Sequence, residues 1–65
     1  MSAETGDQLG RLVHALRTPL TIVEGFADAL LQRGETMTPE DRADHLARIG
    51  EAAREMRDLL DATQR

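Results

Sequence analysis

Apolar residues recur through the first half of the chain at Leu9, Val13, Leu16, Leu20, Val23, Ala27 and Leu30, at spacings that alternate four and three. That alternation is the heptad seam of an amphipathic helix. It predicts a helix from about Asp7 to Arg33, about 40 Å long at ~1.5 Å per residue. Leu12, Phe26 and Leu31 flank the seam and widen it, as in a helix packed within a bundle rather than a plain two-stranded coil. Residues 1–6, with little apolar content, read as a frayed lead-in.

The pattern then breaks and restarts. Gly34 can take the left-handed conformation that ends a helix. Thr38-Pro39-Glu40-Asp41 reads as a new start, with Thr38 as N-cap, Pro39 at the first helical position and acids in the first turn. A second helix is predicted from Pro39 to about Thr63, with Leu46, Ile49, Ala53, Met56 and Leu60 on its seam and Ala52 and Leu59 beside it. Charged pairs such as Asp44 and Arg48, four apart, mark its solvated face. A connection over residues 34–38 is short enough to make the helices antiparallel neighbours.

Each apolar stripe is wider than one neighbouring helix conceals, so a second hairpin is needed to complete the core. The expected fold is all-α: an antiparallel two-helix hairpin, one domain over residues 1–65, paired into a homodimeric four-helix bundle. Composition points the same way. A chain of 65 residues with one Phe and no Trp or Tyr buries too little apolar surface to be comfortably stable alone. Cys is absent, which also fits a reducing compartment, and the two His residues, 14 and 45, stand too far apart in sequence to suggest a metal site. Of the usual supplements to a small core, oligomerisation remains.

Charge narrows the partners. The net charge is -4, and all 8 basic residues are Arg, with no basic stripe suited to nucleic acid. No apolar run approaches the ~18 residues of a bilayer span, and no signal-peptide order is present, so direct membrane contact is not expected. The expected location is cytoplasmic, compatible with a longer, membrane-anchored parent.

Against the seam, His14 falls on the outward side and shares a face with Thr18, Thr21, Gly25 and Asp28. An exposed imidazole keeps a lone pair able to attack phosphorus near neutral pH. A lone surface histidine more often does nothing, and its neighbours carry the argument. Pro19 removes a hydrogen bond to the carbonyl of Ala15, at about 3 kcal/mol, and Gly25 adds roughly 1 kcal/mol relative to Ala. In the bland reading Pro19 merely kinks the helix and Gly25 permits close packing. In the functional reading a bend beside an exposed nucleophile and a bare patch beyond it serve a docking partner.

The run His14-Ala15-Leu16-Arg17-Thr18-Pro19-Leu20 resembles the H-box of sensor histidine kinases, usually His, acid, Leu, Arg, Thr, Pro, Leu, and matches six of its seven positions. Ile22 to Leu31 resembles the family's run into the first loop, and the resemblance covers nearly the whole chain. It implies the dimerisation and histidine phosphotransfer domain, with a role for each matching position. His14 is then the phosphoacceptor, its Nε2 attacking the γ-phosphate of ATP and later yielding the phosphoryl group to an aspartate of a response-regulator receiver domain. Thr18 takes the place that helps orient a hydrolytic water for phosphatase activity. Arg17 orders the site electrostatically, a solvated arginine being the alternative. Pro19 supports helix bending between kinase and phosphatase states. Thr21, Gly25 and Phe26 lie where regulators dock, and Phe26 has bundle core as its equal alternative.

One position departs. The family normally has an acid after the histidine to handle the imidazole proton, and here it is Ala15. A general base commonly contributes ~10²- to 10⁴-fold, so autophosphorylation and phosphatase activity are both expected to suffer unless a base comes from elsewhere. Three explanations fit: a natural variant with retained phosphotransfer, which the intact Arg17, Thr18 and Pro19 favour, a degenerate dimerisation element, or a deliberate substitution. Val13 also replaces a small polar residue at little expected cost.

Nothing in the chain binds ATP: there is no Gly-rich phosphate loop and no strand pattern. The chain alone is expected to be inert as a kinase, binding no cofactor itself and meeting ATP with Mg through a separate catalytic domain, whether it is a piece of a larger kinase or a stand-alone acceptor. His45, beside the second seam without a box, reads as a partly covered surface side chain. The rival functional reading is a structural, signal-transmitting dimeric hairpin that is never phosphorylated. A third, a monomeric phosphotransfer domain, needs four helices in one chain.

Overall fold

The computed structural model describes residues 3–64, with side chains from residue 6. Two helices, α1 (Ala3–Arg33) and α2 (Pro39–Ala62), are joined by a single 3₁₀ turn at Gly34–Thr36. They form a flat hairpin with extents of 52 × 20 × 10 Å.

α1 starts at Ala3, ahead of the expected Asp7, so residues 3–6 are helical rather than a frayed lead-in. Nothing between Ala3 and Gly6 stops a helix once the seam beyond has nucleated it. Met1 and Ser2 of that lead-in lie outside the described residues. α1 also runs unbroken through Pro19.

Gly34 departs from expectation too: no glycine among the described residues has positive φ, and α1 tightens into the 3₁₀ turn instead. The reason is that the end carbonyls find other donors. The amide of Met37 donates to Arg33 O at 3.1 Å and Gly34 O at 3.3 Å, and the Thr36 hydroxyl donates to Arg33 O at 3.0 Å. From α2, the Arg42 guanidinium donates to Gly34 O through Nε at 3.3 Å and Nη2 at 3.0 Å, and to Met37 O at 3.4 Å. With these groups satisfied, a left-handed cap has nothing left to supply. α2 opens as its sequence predicts, with the Asp41 amide donating to Thr38 Oγ1 at 3.0 Å and Pro39 at the first position. It ends at Ala62, with Thr63 as its C-cap, the Thr63 hydroxyl donating to Leu60 O at 2.7 Å.

The register is antiparallel. Phe26 lies against His45 near the turn, and Leu12 and Leu59 line one cleft at the open end. Pairs in this register sum to the same number, which sets Pro19 level with Ala52. Those two are the buried residues among those described: the Pro19 ring is fully covered and Ala52 is 5% exposed. A compact ring and a bare methyl fill the space between the helices at this level, and this is where the core sits.

The interface between the helices is therefore rotated from the simple seams. Leu12, Leu16, Val23, Phe26 and Leu30 on α1, with His45, Ile49, Met56 and Leu59 on α2, are half-buried around the Pro19–Ala52 level. Seam residues Leu9, Val13, Leu20, Leu46 and Leu60 stay between 46% and 57% exposed, and Leu31, expected on the flank, is 84% exposed. The stripe on each helix is divided, one half facing the other helix and one half left open. At ~100° per residue, and with the helices antiparallel, the open halves of α1 and α2 fall on the same side of the hairpin.

Candidate functional site

His14 stands on α1, exposed, on the outer surface of the hairpin. At ~100° per residue around the α1 axis from the interior Pro19, the open apolar row of Leu9, Val13 and Leu20 turns one way and His14 the other. The imidazole thus faces away from the unpartnered apolar side. This follows from local sequence: His14 directly follows the seam residue Val13, and one residue is ~100° of rotation.

Thr18 and Arg17 are exposed one turn further on, at i+4 and i+3 from His14, close enough for their side chains to reach a group carried by the imidazole. Thr21 and Gly25 are exposed on the same face. Gly25 has nothing within 4 Å of where a Cβ would sit. Close packing within the chain is therefore not why glycine stands there, and Gly25 leaves a bare stretch of helix surface. Phe26 does not join this face fully. It is half-buried, its ring meeting that of His45 edge to face, so part of it belongs to the hairpin interior.

Pro19 likewise sits inside rather than beside the site. Its pyrrolidine lies against α2 while its missing N–H leaves the carbonyl of Ala15, one residue beyond His14, without a helical donor. Pro19 thus packs into the hairpin interior and removes one hydrogen bond from the turn of α1 that follows His14. Ala15 is half-buried and lines, with Gly6, Asp7, Gly10, Arg11 and His14, a shallow hollow on the N-terminal side of the imidazole. A methyl there accepts no proton.

The model of the family described as the His Kinase A (phospho-acceptor) domain, HisKA, matches residues 4–64 of the chain. The chain belongs to the HisKA family. No curated protein and no solved structure matches it.

As a HisKA member it is a phosphoacceptor and dimerisation domain of histidine kinases, and its two-helix hairpin is consistent with that assignment. The match spans both helices, so the box around His14 and the second helix belong to one family pattern. A second groove runs on the side of the hairpin that carries Thr18, between Ile22 and Phe26 of α1 and a wall of α2 that includes Asp44, Glu51, Glu55 and Asp58. Arg48 crosses this wall, 3.7 Å from Asp44 and 4.0 Å from Glu51, with its partners more than half exposed. Exposed pairs of this kind add only a few tenths of a kcal/mol each.

His45 is held in one orientation. Its Nδ1 lies 2.8 Å from the Asp41 carbonyl, and a carbonyl only accepts, so Nδ1 carries the hydrogen. The register sets His45 about twelve residues from His14 along the hairpin, roughly 18 Å at ~1.5 Å per residue, so the two histidines do not act on one ligand. Among the described residues no cluster of three His, Asp or Glu is placed to hold a metal ion, and no helix is long and apolar enough to cross a membrane. Sequence reasoning passed over Arg42, which holds the turn, and Arg11, which shares the hollow beside His14. A signal for Arg11 is present in the sequence: the residue lies three before the histidine, on a neighbouring part of the same helix surface.

Proposed function

We propose that this HisKA domain works as a homodimer in which His14 accepts a phosphoryl group from ATP and passes it to an aspartate of a response-regulator receiver domain. The observation that carries the reading is an exposed imidazole at the histidine of an otherwise near-complete family box, on the side of the hairpin away from its open apolar face. ATP, with Mg, is held by a separate catalytic domain. The Nε2 lone pair of His14 forms the N–P bond as the bond from the γ-phosphorus to the bridging oxygen breaks. ADP departs with the electron pair, and the Nδ1 proton is lost to water. Transfer onward reverses the bonding at nitrogen, with a regulator carboxylate as the new acceptor.

Arg17 offsets phosphoryl charge, Thr18 orients a water for hydrolysis of the regulator's aspartyl phosphate, and Pro19 lets α1 bend. Thr21, Gly25 and the accessible part of Phe26 form the surface on which a receiver domain docks. The homodimer is supported by exposed area. The chain has 5327 Å² of accessible surface, against ~4,100 Å² for a folded monomer of its mass. The excess of roughly 1,200 Å² per chain matches what a stable dimer interface covers on each partner. Leu9, Val13, Leu20, Leu46 and Leu60 are the residues a second copy covers.

Incubation with a histidine-kinase ATP-binding domain and labelled ATP tests the reading. Acid-labile, alkali-stable label is expected on the chain and absent from His14→Gln. Ala15 favours the second reading, a signal-transmitting hairpin that is never phosphorylated, and absence of label while a histidine–acid HisKA domain is labelled in parallel supports it.

A further inference from the structure

We propose that Arg11 is a second phosphoryl-binding residue of the His14 site, bracketing the modified imidazole from the side opposite Arg17. This rests on His14 being the phosphoacceptor. On α1, positions 11 and 17 lie one turn before and one turn after His14, rotated by ~60° to either side of it. Both arginines are exposed, and among the described residues neither forms an ion pair within 4.0 Å. Two exposed guanidiniums therefore flank one imidazole, and a guanidinium matches the oxygens of a phosphoryl group with paired donors.

Two glycines leave part of the surface N-terminal to His14 bare. Arg11 lines the hollow formed with Gly6, Asp7, Gly10, His14 and Ala15. Gly6 and Gly10 have nothing within 4 Å of a Cβ position, so packing within the hairpin does not ask for glycine, although each weakens the helix by about 1 kcal/mol relative to Ala. Their absent side chains leave room for a tetrahedral group on the imidazole. Ala15 adds no charge of its own to the hollow. Asp7 is the acid lining the hollow, two turns from His14. Asp7 is also one turn before Arg11, and the cationic groups that face His14 are Arg11 and Arg17, exposed on either side of it.

The test uses the whole chain and potassium phosphoramidate, which needs no catalytic domain. The His14 Nε2–P bond forms as the donor's P–N bond breaks, ammonia leaves with the electron pair, and the imidazole's Nδ1 proton passes to water. Phosphorus NMR follows the phosphohistidine in the wild type and in Arg11→Ala, Arg11→Gln, Arg11→Lys, Arg33→Ala and His14→Gln, with far-UV circular dichroism confirming helix in each. Arg11→Ala and Arg11→Gln are expected to lower the labelling rate about three- to fivefold, the range of an exposed charge contact. Arg11→Lys restores part of it, and molar salt narrows the gap. Arg33→Ala, which removes the same charge near the turn, leaves the rate unchanged. Equal rates for the wild type and Arg11→Ala, or an equal fall in Arg33→Ala, overturn the proposal. A wild-type chain that takes no label overturns the His14 reading itself, and the Arg11 proposal with it.

Discussion

The rings of Phe26 and His45 meet edge to face across the hairpin, with centroids 5.0 Å apart and planes at 89°. The Asp41 carbonyl fixes the imidazole from its own helix at 2.8 Å, so the contact is held from both sides and pins the register near the turn. Edge-to-face pairs are worth ~0.5–1.5 kcal/mol beyond area burial. A double-mutant cycle on Phe26→Ala and His45→Ala, read by urea unfolding at one fixed protein concentration, is expected to return a coupling in that range. A coupling near zero would show that the ring contact adds nothing to burial.

Pro19 and Ala52 stand level and buried between the helices, so the site tolerates shortening better than growth. Ala52→Leu is expected to force the axes apart and destabilise by about 1–3 kcal/mol. Chemical denaturation measures it, and an unchanged midpoint would show that this level is not tightly filled.

The open apolar face predicts an oligomer that charge can split. Leu20→Glu puts a carboxylate among Leu9, Val13 and, across the hairpin, Leu46 and Leu60. Sedimentation velocity at micromolar concentration should give a dimer for the wild type and a shift to monomer, with reduced helicity, for the variant. A wild-type chain that is folded and monomeric would contradict the dimer.

Thr38 caps α2 through one hydrogen bond at an exposed turn. Thr38→Ala is expected to lose about 1 kcal/mol, seen as a lower denaturation midpoint, and to leave the labelling rate of His14 intact, because the turn lies at the far end of the hairpin.

Ala15 sits beside the imidazole in the same hollow, so Ala15→Glu restores an acid at the position the family uses. With a catalytic domain and ATP, labelling of His14 should rise, by as much as the ~10²- to 10⁴-fold that a positioned base supplies. An unchanged rate would show that proton removal does not limit transfer in this domain.

The chemistry-bearing face is legible in the amino-acid pattern alone. His14, Thr18, Thr21 and Gly25 share a surface because helical rotation per residue is fixed, and Thr38-Pro39 announces a helix start because its hydrogen-bonding needs are local. The end of α1 at Gly34 is not legible in that way: whether a helix end takes a left-handed residue depends on which donors arrive from elsewhere, and here Arg42 comes from eight residues further along. The same limit hides the role of Pro19, whose local meaning is a lost hydrogen bond and whose tertiary meaning is a buried ring against α2.

By itself, the sequence determined two amphipathic helices, a short antiparallel link and an outward His14 within its box, all consequences of spacing along one chain. Only the tertiary structure decided how each apolar stripe divides between the neighbouring helix and the open face. That division depends on which face of each helix is buried against the other, and the buried level is formed jointly by Pro19 and Ala52, residues whose pairing no single helix period contains.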